Sequence, residues 1–272
     1  MNVAVKELSK REVQKVAKKA EYEGRIYPSK RFGDMVIIEY LNCKEVVIKF
    51  LNTGHTTKEW FSSVKSGEVR DKSLPSECGV GFIDIEGAAT KGVMTLEYKL
   101  WNNMINRCYN QKVNDRLASY KDCTVSNEFK YFSKFKGWCS NQIGFNQKDN
   151  KGKLFALDKD ILVRGNRVYS PETCAFVPQE INSLIVSGKS YRGDLPVGVV
   201  LDKGAKTPRY RARLSKEGKY YCYGSYPIPE EAFYAYKQAK EAYIKEVANK
   251  WKDQIDPRVY NALMNWTVDI DD

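Results

Sequence analysis

Apolar and polar positions change their spacing several times along the chain, and each change predicts a different element. Residues 1–23 contain neither Gly nor Pro and scatter a few apolar residues among lysines, which predicts a solvated basic helix. The runs DMVIIEYLN and KEVVIKFLNTG then alternate with period two around an Asn42-Cys43-Lys44 turn. This alternation predicts a β-hairpin within a small β-domain over residues 24–78.

The centre of the chain returns to helical spacing. One apolar stripe lies in TLEYKLWNNMINRCYN, and an aromatic stripe recurs every three residues at Phe129, Phe132, Phe135 and Trp138. Such aromatics could stack on bases, but at this spacing they are more typical of a core. We therefore predict buried helices in this region.

Strand periodicity reappears after residue 191. The stretch PRYRARLSKEGKYYCYGSY predicts two strands joined by a Gly218-Lys219 turn, and a helix beginning near Pro229 follows. One face of that helix is apolar and would cover the sheet: Ala232, Tyr236, Ala239, Tyr243 and Val247. Residues 256–272 predict an acidic tail, and the stretch WTVDIDD within it predicts a frayed segment.

Composition narrows the class of partner. The 272 residues carry a formal net charge of +11, which favours a polyanion because Lys and Arg displace its condensed counterions. Seven cysteines without a CxxC pair, and His55 as the only histidine, argue against structural zinc and for reduced thiols. Without a membrane-length apolar run or a signal-peptide core, we expect a cytoplasmic protein with no membrane partner.

The strongest local charge signal is a basic hairpin. Between residues 203 and 219 Glu217 is the only acid, and seven residues are basic: Lys203, Lys206, Arg209, Arg211, Arg213, Lys216 and Lys219. In PRYRARL the arginines alternate with apolar residues, so a strand places three guanidinium groups on one face. Such a row suits the major groove of DNA, where Arg contacts guanine or phosphate. We predict that all seven bind DNA.

The same stretch carries a set of motifs: Tyr210-x-Ala212-x-Leu214, Gly218-Lys219, Gly224-Ser225-Tyr226, Pro229-Glu230-Glu231-Ala232 and Ala235-Tyr236-x-x-Ala239. They resemble the Apetala/ethylene-response-factor DNA-binding domain. The resemblance implies a three-stranded sheet that lies in the major groove and is backed by one helix. Tyr210 stands where that family usually has tryptophan.

A second set of motifs lies in the centre: Tyr98-x-x-Trp101-x-x-Met104-x-x-Arg107-Cys108-Tyr109, Tyr120-Lys121-Asp122, Leu157-Asp158-Lys159-Asp160 and the run YSPETCAFV from Tyr169. They resemble phage HNH endonucleases of the homing type, which often carry an Apetala-type targeting domain. The resemblance implies two strands and a helix around one divalent metal. Asp158 then takes the acidic position, Asn182 the helix position, and Thr173 a place where the family often has Asn.

One position departs from the HNH pattern. Lys159 stands where the family has the histidine that acts as general base, and an ammonium group flanked by two aspartates is a poor base. Asp158 and Asn182 could still hold magnesium, a cation that prefers oxygen ligands. The candidate catalytic residues are thus Asp158, Lys159 and Asn182, with Asp158 and Asn182 as metal ligands.

Together these features predict a multidomain α+β protein: an N-terminal small β-domain, a central helical HNH-like ββα region, and a C-terminal three-stranded sheet with one helix. The predicted segments are 1–23, 24–78, 79–188, 189–255 and 256–272. We expect sequence-preferring binding of double-stranded DNA without a required cofactor, and weak or lost nuclease activity. An active magnesium-dependent endonuclease or nickase is one alternative, and an RNA-binding protein is another. A host or phage protein stays open as a further partner.

Overall fold

The described residues contain both helices and strands, and the strands form several separate sheets, so the fold class is α+β, as predicted. The structure is a computed structural model, and it describes residues 10–90, 92–185, 194–204, 207 and 209–272. The chain divides into two units, Met1–Thr90 with Tyr131–Ser133, and Lys91–Lys130 with Lys134–Asp272. Most of the predicted central segment, 79–188, therefore shares the second unit with the C-terminal segment, whereas its residues 79–90 and 131–133 belong to the first unit. The boundary predicted between them lies outside the described residues.

The first unit is built on a four-stranded antiparallel sheet in the order β1-β2-β3-β4. Its elements are α1 (Lys10–Tyr22), β1 (Ile26–Ser29), β2 (Gly33–Asn42), β3 (Glu45–Phe50), β4 (Thr56–Glu59), α2 (Phe61–Ser66) and β5 (Ala89–Thr90). The predicted hairpin is confirmed, because β2 pairs with β3 and Asn42 lies opposite Glu45. Alternation buries one side of this hairpin, where Met35, Ile37 and Ile48 form part of the core.

The central part of the second unit contains short strands between helices. Its elements are β6 (Val93–Met94), α3 (Leu96–Tyr109), α4 (Gln111–Asn114), β7 (Thr124–Val125), most of α5 (Phe132–Ser140), β8 (Ala156–Asp158), β9 (Val168–Tyr169), β10 (Ala175–Val177) and α6 (Gln179–Leu184). Strand β8 pairs antiparallel with β10, and α6 follows β10 after one residue. Two paired strands and a helix, with β9 between the strands in sequence, are the arrangement that the resemblance to HNH endonucleases implies.

The aromatic stripe of the centre belongs to the core, as predicted. Phe129 and Phe135 are fully buried, and their ring centroids lie 5.1 Å apart in an edge-to-face contact. The indole of Trp101 donates a hydrogen bond of 2.8 Å to the carbonyl oxygen of Phe129. These contacts fix α3 and α5 around one apolar cluster.

The C-terminal part of the second unit is a three-stranded antiparallel sheet backed by a long helix. Its elements are β11 (Val199–Leu201), β12 (Tyr210–Lys216), β13 (Lys219–Tyr226), α7 (Pro229–Trp251) and α8 (Pro257–Met264). The turn between β12 and β13 is Glu217-Gly218, one residue earlier than predicted. Both residues have positive φ, 50° and 81°, as a two-residue type I′ hairpin requires.

The predicted acidic tail over residues 256–272 begins with a helix, whereas the stretch WTVDIDD after it contains no helix or strand. Helix α8 begins after Asp256, whose carboxylate accepts a hydrogen bond of 2.8 Å from the backbone N–H of Arg258. Val259 and Leu263, spaced one helical turn apart, are buried. The Asp256-Pro257 pair is a helix start signal. The acidic residues farther along the chain masked this signal in the sequence.

Candidate nucleic-acid interface and central cavity

Strand β12 separates arginines from apolar side chains. Ala212 and Leu214 are buried on the side that α7 covers, whereas Arg211 and Arg213 are exposed on the other side. This is the consequence of period-two alternation in a sheet with one covered face. The predicted arginine face is confirmed for these two residues, while Arg209 is only half-exposed.

Two of the three arginines are held by β13. Arg209 donates from Nε to the hydroxyl of Ser225 at 3.0 Å and from Nη2 to the carbonyl oxygen of the same residue. The guanidinium of Arg213 lies over the ring of Tyr220, 4.1 Å from its centroid. Tyr220 is 67% exposed, so Arg213 and Tyr220 form a flat, accessible pair.

The third arginine has an acidic partner. Arg211 Nη2 lies 2.7 Å from the carboxylate of Asp202, a residue just before the basic stretch. Pairing of Val200 with Arg211 across β11 and β12 brings this acid alongside. The arginine face therefore carries less uncompensated positive charge than the sequence suggested. The sequence did not indicate that Asp202 lies beside Arg211, because only the pairing of β11 with β12 brings the two residues together.

The remaining predicted cations do not all share the arginine face. Lys216 lies on the opposite side, because it continues the alternation of Ala212 and Leu214. Its Nζ is 4.6 Å from the ring centroid of Tyr243 and 3.8 Å from the carboxylate of Glu246, both on α7. Lys216 is therefore removed from the candidate interface. Lys203 and Lys219 are exposed near turns, and Lys206 lies outside the described residues.

A cavity of about 860 Å³ lies within the second unit. Asp158, Lys159 and Asn182 all line it, so the structure places the three predicted catalytic residues around one cavity. Thr173 contributes instead to the loop between β9 and β10, because its hydroxyl donates a hydrogen bond of 2.8 Å to the carbonyl oxygen of Val168. The charged residues of the cavity wall are Arg107, Lys159, Arg164, Arg167, Lys240, Asp158, Asp160 and Asp272.

Asp158 turns the chain after β8. One of its carboxylate oxygens accepts hydrogen bonds from the backbone N–H groups of Asp160 at 2.8 Å and Ile161 at 2.7 Å. Burial, followed by the negative charge of Asp160, raises the pKa of the Asp158 carboxyl above its ordinary value. The backbone hydrogen bonds act in the opposite direction without cancelling this rise. The carboxylate of Asp158 therefore shapes the loop after β8.

Lys159 closes the same loop from inside. The side chain is buried, with 5% of the residue exposed, and its ammonium donates to Asp160 Oδ1 at 2.8 Å and to the carbonyl oxygen of Asn166 at 3.0 Å. The amide of Asn166 donates back to the carbonyl oxygen of Lys159 at 2.7 Å. Lys159 and Asn166 therefore clamp the two ends of the loop. We call these reciprocal bonds the loop clamp.

The donor set of the cavity does not fit a divalent cation. The described part of the chain contains no group of three or more His, Cys, Asp or Glu side chains that could hold a metal. Asp158 already accepts two backbone hydrogen bonds, and the cavity wall carries more basic than acidic side chains. Magnesium needs several oxygen ligands and is repelled by neighbouring cations. His55, the one histidine of the sequence, belongs to the first unit and does not line this cavity.

Four cations of the cavity wall were not chosen as site residues from the sequence: Arg107, Arg164, Arg167 and Lys240. Lys240 on α7 donates a hydrogen bond of 2.7 Å to the carbonyl oxygen of Leu184, and burial lowers the pKa of its ammonium to about 8. Arg107 on α3 hydrogen-bonds Tyr169 and lies 5.0 Å from the ring centroid of Tyr120. In the sequence, the sign that Lys240 faces inward was its position one helical turn after Tyr236, a residue of the apolar helix face.

Two further findings concern the whole described chain. None of its helices is long and apolar enough to cross a membrane. Comparison with protein-family models, with curated proteins and with solved structures finds no match.

Proposed function

We propose that the protein binds double-stranded DNA, with a preference for sequence, through the open face of the β11–β12–β13 sheet. The observation that carries this proposal is the position of Arg211 and Arg213, which project from a sheet whose other face is covered by α7. Strands can enter the major groove, where Arg forms bidentate hydrogen bonds with guanine. The covered face supplies the rigid support that such contacts require.

The arginine face is also prepared for binding. Tyr220 restricts the side chain of Arg213 before any ligand arrives. Restricting a long side chain in advance lowers the entropy lost on association. Lys203 and Lys219 are exposed near the turns of the same sheet, where they can contact phosphates. The formal net charge of +11 adds long-range attraction to a polyanion.

Duplex DNA is favoured over single-stranded RNA. Single strands are bound mainly by stacking of bases on exposed aromatic rings. The aromatic residues that suggested this alternative include Phe129 and Phe135, and both are fully buried. Tyr220 is exposed, but the guanidinium of Arg213 lies over its ring. The RNA alternative therefore has less support.

Nuclease activity is proposed to be very slow or absent. Lys159 is occupied by the loop clamp, and an ammonium group cannot accept a proton from water. The donor set beside it does not fit magnesium, so the alternative of an active endonuclease has less support. We expect supercoiled plasmid to stay intact when it is incubated with the protein and magnesium or manganese.

The central test replaces Arg211 by alanine. Arg211→Ala should weaken binding to a preferred duplex by about 1–3 kcal/mol and relax base preference, because a base contact is lost. Lys245→Ala is the matched control, since it removes one exposed positive charge from α7. Affinity is measured for both variants at one salt concentration. Equal losses of affinity in the two variants would mean that only net charge matters. No loss in Arg211→Ala would show that the arginine face is not the DNA interface.

A salt titration tests the phosphate contacts separately. If about four to six phosphates are neutralised, log affinity should fall against log salt with a slope of roughly −3.5 to −5.5. Fluorescence anisotropy with a labelled duplex at several salt concentrations gives this slope. A flat dependence would contradict electrostatic binding.

A further inference from the structure

The last residues of the chain form part of the cavity wall. Trp266, Val268 and Asp272 line the cavity, and we call residues 265–272 the acidic segment because Asp269, Asp271 and Asp272 lie in it. Val268 is buried and fixes the segment at its middle. The three aspartates follow this anchor.

Arg164 holds the acidic segment from the central part of the unit. Its Nη1 donates a hydrogen bond of 2.7 Å to the carbonyl oxygen of Thr267, and its guanidinium lies 5.4 Å from the ring centroid of Trp266. The same guanidinium forms an ion pair with the carboxylate of Asp272. Arg164 is thus a cavity cation whose charge is balanced by the chain itself.

Helix α7 holds the middle of the same segment. Lys237 Nζ donates to the carbonyl oxygen of Val268 at 2.6 Å, and the N–H of Val268 donates to the carboxylate of Glu241 at 2.9 Å. Lys237 and Glu241 also pair with each other at 2.7 Å. These contacts fix the backbone at Val268. Beyond it, Arg164 pairs with Asp272, the N–H of Asp269 donates to the Asp272 carboxylate at 2.9 Å, and the N–H of Asp271 donates to Asp269 Oδ1 at 3.2 Å.

The cavity wall keeps an excess of positive charge. Apart from Asp272, two of its residues are acidic and five are basic. Arg107 contacts two phenol rings, while Arg167 and Lys240 donate to backbone carbonyl oxygens. Neutral partners satisfy hydrogen-bonding groups without cancelling charge. A concave wall with such an excess concentrates the electrostatic potential and attracts anions.

We propose that residues 269–272 act as a built-in competitor at this wall, and that a phosphate backbone displaces them from Arg164. The proposal rests on the proposed function to the extent that the displacing polyanion is duplex DNA. A tethered competitor works at high effective concentration, although each of its contacts is weak. The Arg164–Asp272 pair is partly exposed, so displacement is easy and sensitive to salt.

The first experiment neutralises the competitor. Asp269→Asn/Asp272→Asn should bind duplex DNA roughly 3- to 10-fold more tightly than the wild type at low salt, and the gain should shrink as salt rises. Glu128→Gln/Asp253→Asn is the matched control, because it removes two exposed acids that do not line the cavity. We expect this control to gain less than about 2-fold. Equal gains in the two variants, or no gain, would overturn the proposal.

A second comparison tests the role of Arg164. In an Arg164→Gln background the neutralising substitutions should gain no more than the control pair does, because the competitor has lost its ion-pair partner. A full gain in that background would place the effect elsewhere and overturn the proposal.

The two proposals can fail separately. If the wild type binds duplex through Arg211 but the neutralised variant equals its control, only the competitor fails. If the wild type does not bind duplex, the proposed function fails. The same variants are then titrated with inorganic polyphosphate, and an unchanged affinity would overturn the competitor as well.

Discussion

The arginine face and the loop clamp of the central cavity both contain basic side chains, but they differ in what those side chains already contact. Arg211 and Arg213 are exposed and contact one carboxylate and one aromatic ring. Lys159 is 5% exposed, and its ammonium donates hydrogen bonds to Asp160 and to the carbonyl oxygen of Asn166. Donors that remain accessible can bind a ligand, whereas donors saturated by the protein stabilise its fold. Positive charge alone does not distinguish the two.

The largest expected effect breaks the loop clamp. Lys159→Ala should lower the free energy of unfolding by about 2–4 kcal/mol, because Asp160 and the carbonyl oxygen of Asn166 lose their buried partner. This range allows for the partial exposure of Asp160. Urea unfolding measures the change, and Lys153→Ala, an exposed lysine in the preceding loop, should cost less than about 0.5 kcal/mol.

The same variant separates structure from ligand contact. The folded Lys159→Ala protein should keep its affinity for duplex DNA within about threefold of the wild type, since a saturated donor contributes little to binding. A variant that is fully stable but no longer binds DNA would make Lys159 a ligand contact. The contrast between the two regions would then be wrong.

A somewhat smaller effect concerns Lys240 and pH. Burial lowers the pKa of its ammonium to about 8, below the value in the unfolded chain, so the unfolded state binds more protons between these two values. Stability of the wild type should therefore rise relative to Lys240→Met from about pH 8 to about pH 10, by at most about 3 kcal/mol. Urea unfolding at several pH values measures this. Lys245→Met, exposed on the same helix, should show no such trend.

A constant difference between wild type and Lys240→Met across that pH range would show that Lys240 is solvated. Such a result would remove Lys240 from the cations that distinguish the cavity from the arginine face.

The smallest expected effect sharpens the picture of the arginine face. Asp202→Asn removes the acid beside Arg211 and should strengthen binding to duplex DNA about 2- to 3-fold, as expected for a partly exposed ion pair. Asp194→Asn, an exposed acid before β11, is the control for net charge. Weaker binding by Asp202→Asn would mean that Asp202 chiefly orients Arg211.

The sequence predicted elements whose signals are local. Period-two alternation located the β2–β3 hairpin and the two faces of β12, and helical spacing located α3 and α7. The environment of Lys159 could not be predicted in the same way. Its burial and its bond to Asn166 depend on how the loop folds back. Asp202 beside Arg211 likewise depends on a strand pairing across the intervening loop.

Helix α7 limits how the protein can be divided into transferable parts. One side of it covers the sheet, while its last residue, Trp251, donates a hydrogen bond of 2.7 Å to Glu180 of α6 and packs edge-to-face on Phe155. Lys240 reaches the carbonyl oxygen of Leu184 at the end of α6. Residues 189–255 expressed alone would expose this surface to water. If evolution or engineering replaces this sheet with another, the new part must therefore keep the contacts between α7 and α6. Otherwise both helices have to be replaced together.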